Sequence, residues 1–163
     1  VIINDISAGE LDPLIVDVAA EHDVPYVAMH MKGNPRTMQS MTDYRDIVAE
    51  VVDYFRERTA QLRERGVRRI VVDPGFGFAK TLEQNYELLR GLHRLAELGY
   101  PVLAGVSRKS MIYKLLGTTP AEALNGTTAL HWECLRQGAV ILRAHDTREA
   151  VEVVRMFDQF MQA

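Results

Sequence analysis

Five times along this chain a short apolar or β-branched run gives way to a Gly- or Pro-bearing turn and then to an amphipathic helical pattern. The spacing predicts strands at Val1 to Asp5, Tyr26 to His30, Arg69 to Asp73, Val102 to Gly105 and Ala139 to Arg143. The helical patterns run over about Leu11 to His22, Asp43 to Arg65, Leu82 to Leu98, Pro120 to Gln137 and Thr147 to Met161. Repeated strand-then-helix units require a parallel sheet, because a parallel neighbour is reached only through a crossover, and such crossovers are right-handed. The sheet is either open or part of a closed barrel. Val1, Ile2 and Ile3 form a strand with no unit before them, so the expectation is a chain that starts inside a domain. Five units also fall short of an eight-fold barrel of roughly 250 residues.

The 163 residues suffice for one core, and 47% hydrophobic with 25% charged residues is the composition of a globular domain. One domain is expected over residues 1 to 163. The sequence has no apolar run near the ~18 to 20 residues of a membrane span. A net charge of -3 argues against non-specific nucleic-acid binding. The single cysteine, Cys134, has no partner for an internal disulfide and reads as a packing residue in a reducing cytoplasm.

Ligands of α/β proteins bind at the C-terminal edge of the strands. Those ends carry a biased set: Asn4 and Asp5, Met29 and His30, Asp73, Ser107 to Lys109, then Arg143 and His145. In "IVVDPGFGFAK" the strand Ile70 to Val72 stops at Pro74 and Gly75, which leaves Asp73 on the rim. Asp before Pro-Gly is also an ordinary turn residue. Alternatively, its carboxylate matches a paired N–H edge such as that of a pterin or guanine, with Phe76 or Phe78 as an aromatic wall. In "GVSRKSMI", which opens at Gly105, Ser107 and Ser110 are candidate helix caps, and Lys109 is a long cation that can reach a ring from the side opposite Asp73. In "LRAHD", Arg143 and His145 lie two apart and suggest phosphate or pyrophosphate recognition. His22, His93 and His131 read as surface or interface residues, and Trp132 as core filler.

The ordered motifs "IINDIS", "MHMKGNPRTMQ", "DPGFGFAKT", "GVSRKS" and "LRAHD" together resemble the later motifs of the dihydropteroate synthase family. The resemblance implies an α/β fold of the (β/α)8 TIM barrel family, here a partial barrel that opens at the fourth strand. It further implies condensation of 6-hydroxymethyl-7,8-dihydropterin pyrophosphate with p-aminobenzoate, a step of folate biosynthesis that sulfonamides inhibit. Asn4 and Asp73 would hold the pterin edges, Met29 would pack on the ring, and Lys109 would contact it from the other side. Arg143 and His145 would bind the pyrophosphate, while Gly105, Ser107 and Phe78 shape the remaining substrate site. Lys109, Arg143 and His145 are the implied catalytic residues. Mg2+ is expected with the pyrophosphate, on a protein ligand outside this sequence, so no metal ligand is assigned here. A cytoplasmic homodimer is implied for the complete protein, and the isolated chain is expected to be inactive. Two other readings are a catalytically inactive pterin-binding fragment and a pterin-dependent methyltransferase. One departure from the family pattern is Ala79, where Gly is more usual.

Overall fold

The computed structural model describes residues 1–33 and 41–163; most of the predicted rim loop Met31 to Ser40 therefore lies outside the described residues. The elements are β1 (Ile3–Asp5), α1 (Leu14–Glu21), β2 (Tyr26–Met29), α2 (Ile47–Glu64), β3 (Ile70–Asp73), α3 (Leu82–Arg90), α4 (His93–Ala96), β4 (Leu103–Ala104), α5 (Ser110–Leu116), α6 (Leu124–Arg136), β5 (Ile141–Leu142) and α7 (Thr147–Gln162). All five predicted strands are present, shortened at their ends. Two predicted helices are interrupted. The one expected at Leu82 to Leu98 breaks after Arg90, where Gly91 ends α3 before the short α4. The one expected from Pro120 begins as a 3₁₀ turn, Pro120–Glu122, capped by Thr119, before α6 starts.

Every strand pairing is parallel. β1, β2 and β3 form one sheet, β4 and β5 another, and a bridge from Val72 to Val102 joins the two. The spatial order thus follows the chain order from β1 to β5. Right-handed crossovers laid down in that order put all the helices on one face of a curving sheet, which is how a barrel wall is built.

Alternation along the strands sorts the side chains. Tyr26, Ala28, Ile70, Val72, Val102 and Ala104 point outward into the main core, where they meet α2 through Val51, Val52 and Phe55. α2 presents those residues at helical spacing, and its first turn is fixed by Asp46, whose carboxylate accepts the Ala49 N–H at 2.9 Å. Burying each large side chain contributes about 1.5 to 3 kcal/mol, so this layer holds the helices to the wall. Val27, Val71 and Leu103 point the other way and form a small separate cluster on the concave face. Cys134 is buried in the main core, and burial pushes its thiol up to about 12, which bears out the packing reading. Among the described residues, no helix is long and apolar enough to cross a membrane.

Candidate functional site

The concave face continues upward from Val27, Val71 and Leu103. Two residues further along the same strands come Met29, Asp73 and Gly105, and β5 adds Arg143 after Ile141. Met29 pairs in register with Asp73, and Asn4 pairs with Val27 one step lower. The period-two alternation that buries the floor therefore delivers five of the predicted site residues to one rim. A cavity of about 640 Å³ opens on this face, lined by Asn4, Val27, Val71, Leu103, Ile141 and Arg143 among others.

Asp73 is fully buried, and its two oxygens have different neighbours. Oδ1 accepts the Gly75 N–H at 2.8 Å, which is the turn-residue role. Oδ2 lies 2.9 Å from Nη1 of Arg143, yet among the described residues it receives no hydrogen bond, because the guanidinium N–H groups are not aligned with it. The distance makes an ion pair; the angle leaves an acceptor open. Arg143 Nη1 also donates to Asn4 Oδ1 at 3.3 Å. Gly105 makes this possible, since a Cβ there would stand 2.5 Å from Nη2 of Arg143.

Lys109 enters from the next loop. Its ammonium donates to the Phe76 carbonyl and lies 4.7 Å from the centroid of the Phe78 ring. Burial lowers it to about 8, although Asp73 pulls it upward and Arg143 pushes it down. Phe76 is fully buried, so of the two candidate aromatic walls only the half-buried Phe78 faces the site.

Several readings are corrected. Neither Ser107 nor Ser110 caps α5: the N-cap position falls on Lys109, with no side-chain hydrogen bond, and Ser110 is already helical. Ser107 instead accepts the His145 N–H at 3.1 Å and stands 2.9 Å from His145 Nδ1. That geometry fixes the Nδ1 edge of the imidazole against the hydroxyl. Arg143 and His145 are thus held by different partners. Arg108 grips both oxygens of Asp146 at 2.8 Å and donates to the carbonyls of Pro120 and Ala121. This pair ties the loop after β4 to the loop after β5 and so sets Ser107 beside His145. Asp5, one position from Asn4, faces away from the rim. Burial opposes its charge, but hydrogen bonds from Tyr26, Ser7 and Gly9 outweigh that and hold it below the ordinary carboxylate range. His131, expected at the surface, is buried on α6, because the face it shares with Thr127 and Cys134 turns inward. Trp132 is half-buried rather than core, edge-on to Phe157 and Phe160 of α7.

Sequence reasoning missed the supports of the Gly75 to Phe78 loop. Lys80 is buried beneath it, and Asn85 on α3 accepts the Gly77 N–H at 2.7 Å. Lys80 sits inside the quoted motif, but a lysine gives no local signal that it points inward.

Comparison with known proteins follows this geometry. The family described as "Pterin binding enzyme" matches residues 1–145. A dihydropteroate synthase of Synechocystis is 43% identical over 96% of this chain and 55% of its own length; that of Escherichia coli K12 is 43% identical over 99% and 58%. Two solved structures of the Thermus thermophilus dihydropteroate synthase, one in complex with 6HMPPP and one with 4-aminobenzoate, superpose with TM-scores of 0.92 and 0.93. They are 40% and 39% identical and cover 97% of this chain and 63% and 65% of theirs. The likeness extends the five-strand wall to the TIM-barrel fold of those enzymes. The chain spans a little over half the length of the curated relatives it matches. With the family match over most of its residues and dihydropteroate synthases as its relatives throughout, the chain belongs to the pterin-binding enzyme family.

Proposed function

We propose that this chain carries the pterin- and pyrophosphate-binding wall of a dihydropteroate synthase. The observation that carries this reading is Asp73 Oδ2, a buried carboxylate oxygen at the end of β3 that has no hydrogen bond among the described residues and only the half-exposed Arg143 beside it. Arg143 balances the charge, but a buried acceptor without a hydrogen bond still costs about 1 to 3 kcal/mol, and a pterin's N–H edge supplies the matching donors. Asn4 holds a second polar edge, Met29 packs on one face of the ring, and Lys109 reaches it from the far side.

In the reaction, the nitrogen of p-aminobenzoate forms a bond to the pterin methylene carbon while the carbon–oxygen bond to pyrophosphate breaks. The electron pair leaves with pyrophosphate, and the amine proton passes to solvent. Arg143 and His145 stabilise the charge that develops on the leaving oxygen, Arg143 by turning from Asp73 once the pterin occupies that carboxylate. Ser107 occupies Nδ1 of His145, which leaves Nε2 as the ring nitrogen for the pyrophosphate. Phe78 and Ser107 border the place of the arylamine. Mg2+ bound with the substrate would supply further charge stabilisation to the leaving pyrophosphate. Among the described residues no group of three His, Cys, Asp or Glu side chains gathers to hold an ion, and Asp146 is occupied by Arg108, so no residue of this chain is assigned to it. The protein is further proposed to work in the cytoplasm as a homodimer, in which a second copy covers the exposed Met156, Phe160 and Met161 of α7.

The test compares the chain alone with the chain completed by the remaining βα units of a dihydropteroate synthase relative. Calorimetry with pterin pyrophosphate and an assay with p-aminobenzoate are the readouts. Binding and condensation are expected in the completed protein, and no condensation from the chain alone, whose sheet edges lack partners. Pterin binding that is unchanged by Asp73→Asn in the completed protein overturns the reading.

A further inference from the structure

Lys80 is 6% exposed, and its ammonium reaches three acceptors: the Gly75 carbonyl at 2.9 Å, the Phe78 carbonyl at 2.8 Å and His30 Nδ1 at 3.2 Å. An ammonium has three N–H donors, and here each has one partner. Two of those partners bracket the loop that follows Asp73, and the third sits at the end of β2, next to Met29. Asn85 clamps the same loop from α3 through Gly77, and its amide donates to Thr81 at 2.6 Å. The loop is glycine-rich, and Gly75 and Gly77 both adopt positive φ. A buried cation is costly unless it is satisfied, so its presence here calls for a role.

We propose that Lys80 is a positioning residue for the pterin site: it fixes the Gly75 to Phe78 loop against β2, and so sets the Gly75 N–H that orients Asp73 and the height of the Phe78 ring beneath Lys109. This rests on the pterin-binding reading given above. Lys80 touches no proposed substrate itself. His30 serves as its buried acceptor: it is 3% exposed, edge-on to Tyr54 at 4.9 Å, and burial together with the neighbouring Lys80 holds its imidazole well below its ordinary range, neutral and able to accept.

The experiment uses the completed protein described above and a pterin ligand. Lys80→Ala is expected to weaken pterin binding by about 10- to 100-fold. Propylammonium, which replaces the four side-chain atoms removed beyond Cβ, is expected to restore most of that loss. A variant that melts earlier yet binds pterin with unchanged affinity overturns the proposal and makes Lys80 a support of the fold alone. Should Lys80→Ala fail to fold, long-range 1H–15N spectra of the unmodified protein decide: the proposal requires the His30 proton on Nε2, and a proton on Nδ1 refutes it. Failure of the unmodified protein to bind pterin removes the functional reading itself, whereas normal binding with an indifferent Lys80→Ala removes only this inference.

Discussion

Arg143 Nη1 stands 2.9 Å from Asp73 Oδ2, a cation beside a buried carboxylate that it neutralises without hydrogen-bonding to it. The arrangement separates charge balance from acceptor satisfaction. A ligand with a pair of N–H groups is expected to add the missing hydrogen bonds and release the guanidinium, which is 40% exposed along its side chain and, among the described residues, has Asn4 as its further partner.

Asp73→Asn keeps the shape but turns one acceptor into a donor facing donors. In the completed protein it is expected to cost about 2 to 4 kcal/mol of pterin binding, measured by calorimetry.

Arg143→Ala and His145→Ala are expected to weaken pterin pyrophosphate more than the corresponding pterin alcohol, since the charged tail is their proposed partner. Equal losses with both ligands in both variants contradict the pyrophosphate assignment.

Two glycines of the site predict opposite outcomes. A Cβ on Gly75 would fall 2.1 Å from the His30 carbonyl oxygen, at a φ of +70°. Backbone cannot step aside, so Gly75→Ala is expected to destabilise by about 2 to 4 kcal/mol in urea unfolding. A Cβ on Gly105 would meet only the end of the Arg143 side chain. Gly105→Ala is therefore expected to unfold near the parent midpoint while pterin binding changes.

Burial lowers Lys80 to about 7 and Lys109 to about 8, against 10.5 for an ordinary lysine; Asp73 opposes both shifts. Between these values and 10.5 the unfolded chain holds more protons than the folded one, so stability rises with pH across that window. Urea midpoints are expected to increase from pH 7 to pH 9.5, and Lys80→Met is expected to flatten the rise. A flat profile in the parent protein contradicts the buried placement of the two ammonium groups.

The strand-then-helix rhythm and the polar strand ends were legible because both follow from local periodicity: once the strands are placed, alternation alone puts Met29, Asp73, Gly105 and Arg143 on one face. What stayed hidden depends on long-range contact. Nothing near Arg108 announces that Asp146 closes on it from another loop, and Ser107 resembles a cap until β5 brings His145 alongside. His131 looked superficial because the apolar stripe on α6 is weak, and only the packing of neighbouring elements buries it. Ala79 carried a legible hint. It adopts a φ of 51°, the left-handed region that favours the Gly usual at this position in the family.

The spatial order of the strands repeats the order in which the ribosome releases them. Each new βα unit can dock on the one made just before it, and no strand has to be inserted between two that are already paired. β3, which ends at Asp73, can therefore pair with β2 before Arg143, 139 residues beyond Asn4, has been synthesised. Asp73 thus meets the ammonium groups of Lys80 and Lys109 first, and the guanidinium 2.9 Å from its Oδ2 arrives only with the last of these strands.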